Sequence, residues 1–202
     1  MKKMLDVVFI LDKSGSMSGS EENTITSFNE YLEKEKKNDY KTRITTILFS
    51  DDYSYLYKGL DVSKVNLLTH EDYYVGGCTA LYDAIGSAIN YIDRCDTDKV
   101  LFIIITDGYE NASREFNKDK VRKMIKNHSN YEFIYIGADI DSYSAGGSIG
   151  INKDNIANFK KDRKGTGLLF KSVGKFETYM MEDSEVSSWK KDLDDYIEKN
   201  GE

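Results

Sequence analysis

Two rhythms of apolar and polar positions alternate along this chain. Leu5–Leu11 (Leu-Asp-Val-Val-Phe-Ile-Leu) is a nearly continuous apolar run, the pattern of a strand covered on both faces. Thr24–Lys37 carries Ile25, Phe28 and Leu32 at helical spacing, with a charged outer face. Arg43–Phe49 predicts a second strand and Tyr53–Tyr57 a third, with Tyr53, Tyr55 and Tyr57 on one face. Only Ser50-Asp51-Asp52 separates these two, which permits a hairpin but no parallel crossover. The third strand is therefore expected to be antiparallel and at an edge. A helix follows over Ala80–Ile92, with Leu81, Ile85, Ala88, Ile89 and Ile92 on its buried stripe. Val100–Thr106 is the most apolar strand and should be central.

Asn117–His128 reads as a helix, Tyr131–Gly137 as a strand, Ser142–Gly150 as a small-residue helix or turn, and Asn155–Phe159 as a short strand. Lys164–Met181 aligns Leu169, Val173, Phe176 and Met180 on one helical face. Trp189, Leu193, Tyr196 and Ile197 mark a last amphipathic helix, with Trp189 as its anchor. Strands alternating with helices predict an α/β fold of three layers. Its mainly parallel central sheet has one antiparallel edge strand and helices on both faces. Residues 1–182 are expected to form one domain, and 183–202 a C-terminal helical extension packed on or beside it.

Composition narrows the function. At 202 residues, 40% hydrophobic and 31% charged, the chain can bury a core and is not disordered as a whole. Its formal net charge of −7 argues against binding nucleic acid or an anionic membrane and suits a carrier of a cation. No apolar run approaches the roughly 20 residues that cross a bilayer, so no membrane insertion is expected. The basic start, Met1-Lys2-Lys3, leads into a first strand without a small-residue cleavage site. Two cysteines, Cys78 and Cys95, make no disulfide framework. They are read as packing thiols in a cytoplasmic protein. The absence of proline and a Lys/Asn/Ile-rich composition point to a bacterial or phage source.

In a sheet of this kind ligands bind beyond the carboxyl ends of the strands. After the first strand comes Asp12-Lys13-Ser14-Gly15-Ser16, which puts three oxygen donors in one loop. Gly76-Gly77-Cys78-Thr79 precedes the Ala80 helix and offers the Thr79 hydroxyl. Thr106-Asp107-Gly108 ends the central strand with a second carboxylate. All are hard oxygen donors, which suits magnesium, or alternatively manganese or calcium, rather than zinc or copper. Two carboxylates neutralise a divalent ion formally. Hydroxyl ligands leave its charge exposed to an outside carboxylate.

These three elements, in this order, resemble the von Willebrand factor type A domain family. Its metal-ion-dependent adhesion site reads Asp-x-Ser-x-Ser, then a distant Thr, then a distant Asp. The resemblance runs from about Leu5 to Met181. It implies that Ser14, Ser16 and Thr79 contact a divalent cation directly, with Asp12 and Asp107 acting directly or through water. It also implies that the open coordination position takes water, or a Glu or Asp from a partner protein. The family's strand order would set the first and central strands side by side, and its metal rearrangements can couple to the last core helix, here Lys164–Met181. On this reading the chain is a protein-binding module and not an enzyme.

Other readings fail on spacing. An EF-hand counted from Asp12 needs Gly and Glu where Met17 and Asn23 stand. Neither a Walker loop nor a Rossmann glycine motif is present. The enzymatic alternative is a metal-dependent phosphoryl or ester hydrolase of haloacid-dehalogenase type. It would want an acid/base carboxylate two residues after Asp12, where the chain has Ser14. His70 reads as exposed and His128 as structural. Lys13 is expected to point to solvent. Glu110 either hydrogen-bonds the rim or is solvated.

Overall fold

The computed structural model describes residues 4–184 and 188–200. The Met1–Lys3 start, and parts of the C-terminal extension, lie outside them. Six strands form one sheet: β1 (Met4–Asp12), β2 (Lys41–Phe49), β3 (Tyr53–Asp61), β4 (Lys99–Thr106), β5 (Tyr131–Gly137) and β6 (Ile156–Asn158). Their order is β3-β2-β1-β4-β5-β6. Every neighbouring pair is parallel except β2–β3. The two most apolar runs, β1 and β4, thus lie side by side at the centre, and β3 is the antiparallel edge.

Period-2 alternation along the central strands feeds two separate cores. Leu5, Val7, Phe9 and Leu11 of β1, with Leu101, Ile103 and Ile105 of β4, face one layer of helices. That layer holds α1 (Glu21–Glu35), α5 (Arg163–Glu182) and α6 (Lys191–Asn200). Val8 and Ile10, with Val100, Phe102 and Ile104, face the other. There lie α2 (Leu81–Ile92), α3 (Lys118–Asn127) and α4 (Ser142–Ser148). In the first core Phe9 meets both Phe28 and Tyr31 edge-on, with ring centroids 5.1 Å apart in each pair. Such pairs add about 0.5–1.5 kcal/mol each beyond the area they bury. Among the described residues no helix is long and apolar enough to cross a membrane.

Helix ends follow local chemistry. Asn117 caps α3 by accepting from Lys120 N at 2.9 Å. Asp162 caps α5 by accepting from Gly165 N at 2.7 Å. α1 starts at Glu21, three residues earlier than its apolar spacing suggests, because Glu21 and Glu22 suit the positive end of the helix dipole. Trp189 and Leu193 of the C-terminal segment are fully buried in the same core as β1 and α5.

Two expectations are corrected. Tyr53, Tyr55 and Tyr57 do not share a face. The β2–β3 register shifts between Thr46 and Ile47, so Tyr57 turns into the α1 side while Tyr53 and Tyr55 pack on the α2 side. An extra residue in one strand of a ladder turns the side chains after it to the other face, here until the second shift between Ile44 and Thr46. Cys78 is exposed, not packed. Its backbone N–H is held on the sheet rim by Asp51 Oδ1 at 2.9 Å. Cys95 is half-buried, its thiol donating to Tyr91 O.

Candidate functional site

The carboxyl ends of β1, β2, β4, β5 and β6 share one rim because these strands run parallel. Asp12, the last residue of β1, is fully buried there. Its Oδ1 accepts from Ser14 N at 2.7 Å and its Oδ2 from Thr106 Oγ1 at 2.5 Å. Its main-chain oxygen accepts from the buried Tyr73 hydroxyl at 2.5 Å. Burial raises the Asp12 pKa, against the lowering pull of hydrogen bonds from Ser14 and Thr106. The nearby Asp107 charge adds to the rise.

A single turn of 3-10 helix, Gly15–Met17, then carries the chain around. Ser14 Oγ and Ser16 Oγ lie 3.1 Å apart, and Ser16 Oγ donates to Asp107 Oδ1 at 2.5 Å. Thr79 arrives from the third loop. Two main-chain bonds tie that loop to the first: Gly15 N to Gly77 O at 3.0 Å and Gly76 N to Lys13 O at 2.8 Å. Gly77 holds a φ of +82°, and a Cβ there would collide with the Asp51 carboxyl group. Glycine is required for this approach. A Cβ built on Gly108 would stand 2.9 Å from Thr79 Oγ1 and 3.4 Å from Ser16 Oγ. The two hydroxyls therefore flank one point above Gly108, which is kept open by the missing side chain. All five residues singled out in the sequence, Asp12, Ser14, Ser16, Thr79 and Asp107, are brought together at this rim.

The loop after β4 is braced against α2. Thr79 N donates to Asn111 Oδ1 at 2.9 Å, and Asn111 N returns to Thr79 O at 3.0 Å. Glu110 hydrogen-bonds the rim: it accepts from Tyr82 N at 2.8 Å and from Ala112 N and Ser113 N. Lys13 lays its ammonium over the exposed ring of Tyr74, 4.1 Å from the centroid. The histidines stand elsewhere. Exposed His70 pairs with Glu22, and half-buried His128 bonds Met124 O within its own helix turn.

Sequence reasoning missed several members of the site. Thr106 and Tyr73 lock Asp12, and Asn111 locks Thr79. Most important is Lys161, from the loop between β6 and α5. Its ammonium reaches Asp107 Oδ2 at 2.8 Å, Asp139 Oδ2 at 2.9 Å and Ser16 O at 3.1 Å. Burial works to lower its pKa, but the hydrogen bonds and charges of Asp107 and Asp139 outweigh it and the pKa rises. The available signal was topological: if β5 and β6 are parallel strands, the loops after them must reach the same rim.

The donor set fits a hard divalent cation. It offers three hydroxyls and two carboxylates, with neither thiolate nor imidazole among them. Among the described residues no group of three or more His, Cys, Asp or Glu forms a metal cluster, so a cation here would depend on the hydroxyls. Ser16 and Thr79 flank the open point. Ser14 Oγ and Asp107 Oδ1 are joined to it through Ser16 Oγ, and Asp12 through the main chain of Ser14.

The family model of the von Willebrand factor type A domain matches residues 6–167. A comparison with functionally curated proteins gives no significant sequence match. Solved structures share the fold. Proximal thread matrix protein 1 from the mussel byssus is 16% identical, with a TM-score of 0.62 over 85% of this chain and 45% of that one. Another structure of it, with a zinc-occupied MIDAS motif, is 17% identical with a TM-score of 0.59, over 92% of this chain and 45% of that one. The PilB minor pilin of Streptococcus sanguinis is 11% identical with a TM-score of 0.66, over 93% of this chain and 64% of that one. The chain thus spans less than half the length of the mussel protein, and at these identities the likeness is one of fold. Family match, strand order and layer arrangement agree: this chain belongs to the von Willebrand factor type A domain family.

Proposed function

We propose that this domain is a metal-dependent protein-binding module of the adhesion or assembly kind. A divalent cation, magnesium in the first instance and manganese or calcium as alternatives, is held by the Ser14, Ser16 and Thr79 hydroxyls. Asp12 and Asp107 act directly or through water. The position left open takes a Glu or Asp side chain of a partner protein. The observation that carries this reading is the gathering of Ser16 Oγ and Thr79 Oγ1 on either side of the open point above Gly108, with Asp107 bonded to Ser16. Neutral hydroxyls leave most of the ion's charge for the visiting carboxylate, and such charge-assisted contacts are strong and directional. The chain's net charge of −7 opposes an acidic partner at a distance, so capture depends on this short-range contact. The hydrolase alternative lacks its acid/base, since the residue two after Asp12 is Ser14.

The test is thermal unfolding with magnesium, manganese, calcium or chelator. An ion that binds only the folded chain stabilises it by about 2.7 kcal/mol at 100 times its dissociation constant. For a domain of this size that is a rise in Tm of about 5–11 °C. The Ser14→Ala/Ser16→Ala double variant should lose the rise and still melt cooperatively in chelator. No rise with any ion, or a rise retained by the double variant, overturns the metal reading. Partner binding should vanish in chelator and in Asp12→Ala.

A further inference from the structure

We propose that Lys161 is a built-in counter-cation for the candidate metal centre: it holds Asp107 while no divalent ion is bound and must give it up for an ion to bind. The inference rests on the metal reading above and adds what sets the ion's affinity. Both carboxylate oxygens of Asp107 are engaged by protein groups. Its Oδ1 takes the Ser16 hydroxyl and its Oδ2 the Lys161 ammonium, while its side chain has no solvent exposure. The same ammonium neutralises Asp139 and meets the main-chain oxygen of Ser16. A divalent ion drawing on Asp107 competes with Lys161 for that carboxylate, and one held by the Ser16 hydroxyl would share this rim with the lysine's positive charge if the lysine stayed. Like charges inside a partly desolvated rim repel strongly.

The lysine is held there by its backbone. Lys161 O accepts from Asn23 Nδ2 of α1 at 3.2 Å. The next residue, Asp162, caps α5 and accepts from Tyr196 of α6 at 2.9 Å. A Cβ on Gly165 would collide with the Lys160 carbonyl, so glycine lets this loop close onto the first turn of α5. The ammonium is therefore presented by a braced loop and not by a free side chain on the surface. At 26% exposure, it has solvent to withdraw into when an ion displaces it.

Calorimetric titration of magnesium and of manganese into the full chain tests this, with wild type, Lys161→Met, Lys161→Gln and Lys161→Arg. Both uncharged variants should bind about tenfold or more tightly than wild type. Lys161→Arg should stay close to wild type. In chelator, Lys161→Met and Lys161→Gln should melt below wild type, because Asp107 is left buried without its cation. Wild-type binding with equal or weaker affinity in both uncharged variants overturns the role of Lys161 and leaves the metal site standing. No binding of either ion by any of the four proteins overturns the site itself, and this inference with it.

Discussion

Replacing Trp189 by alanine should destabilise the domain by about 3–5 kcal/mol, the usual cost of emptying a large buried aromatic position. For a domain of this size that lowers Tm by about 6–20 °C. Trp189 is 1% exposed. Its ring meets Phe176 of α5 edge-on at 5.5 Å, and its Nε1 donates to Asp154 O at 2.9 Å. Lys190, next in the chain, reaches Lys153 O at 3.1 Å and Ile156 O at 2.5 Å. The segment before α6 therefore staples α5 to the chain entering β6, the last strand of the sheet. A sheet edge left bare is a liability, and covering it is a common remedy. Urea titration checks the prediction. A loss under 1 kcal/mol would mean that residues after 183 are a loosely docked extension and not part of the core.

Much of this architecture was legible because burial on two faces leaves a plain mark. Leu5–Leu11 and Val100–Thr106 carry almost no polar residue, so each had to lie between helices, and together they form the sheet's centre. The three-residue link Ser50-Asp51-Asp52 forced an antiparallel return, as found. The bulge that turns Tyr57 away from Tyr55 was not legible. It depends on how β3 pairs with β2, and strict alternation along one strand contains no such information.

The site divided along a similar line. Asp12 ends β1, and Ser14, Ser16, Thr79 and Asp107 sit in glycine-containing stretches directly after strands or before a helix. Each residue type is ordinary in a turn, and what marked them was the three segments occurring together in that order. Lys161 sits in Lys160-Lys161-Asp162, which reads as an ordinary charged entry to a helix. Only the loop's path over the rim brings its ammonium to Asp107. Glu110 is intermediate: its position beside Asp107 was visible, but its bond to Tyr82 N required the fold. Glu35 and Glu177 were hidden by composition, since glutamate on a helix suggests solvent. Their spacing said otherwise, with Glu177 four residues after Val173 and Glu35 three after Leu32, both on buried stripes.

Glu177→Gln should stabilise the domain at neutral and alkaline pH by about 1–3 kcal/mol, the usual cost of a buried unsatisfied polar group. Glu177 of α5 is wholly buried and Glu35 of α1 nearly so. Tyr31 donates its hydroxyl to Glu177 Oε1 at 2.7 Å, yet Oε2 of each glutamate is buried with no hydrogen-bond donor. Two carboxylates are both acceptors only, and one proton between them turns one into the missing donor. Burial, and then the Glu35 charge, raise Glu177 well above the ordinary value of 4.5, and burial raises Glu35 as well. Around them stand Lys34, Asn38 and the phenols Tyr31 and Tyr40. Both phenols are raised by burial and by the two glutamates, so they stay neutral. The sign follows from proton binding. The folded chain holds this proton more tightly than the unfolded chain does, so the stabilisation is complete below about pH 4.5 and is lost as pH rises through the folded-state pKa. Glutamine keeps a donor toward Glu35 at every pH. Wild type should therefore lose stability from mildly acid to alkaline pH, and Glu177→Gln should lose less, the gap widening upward. Parallel pH–stability curves for the two proteins would show that no proton is shared between Glu35 and Glu177.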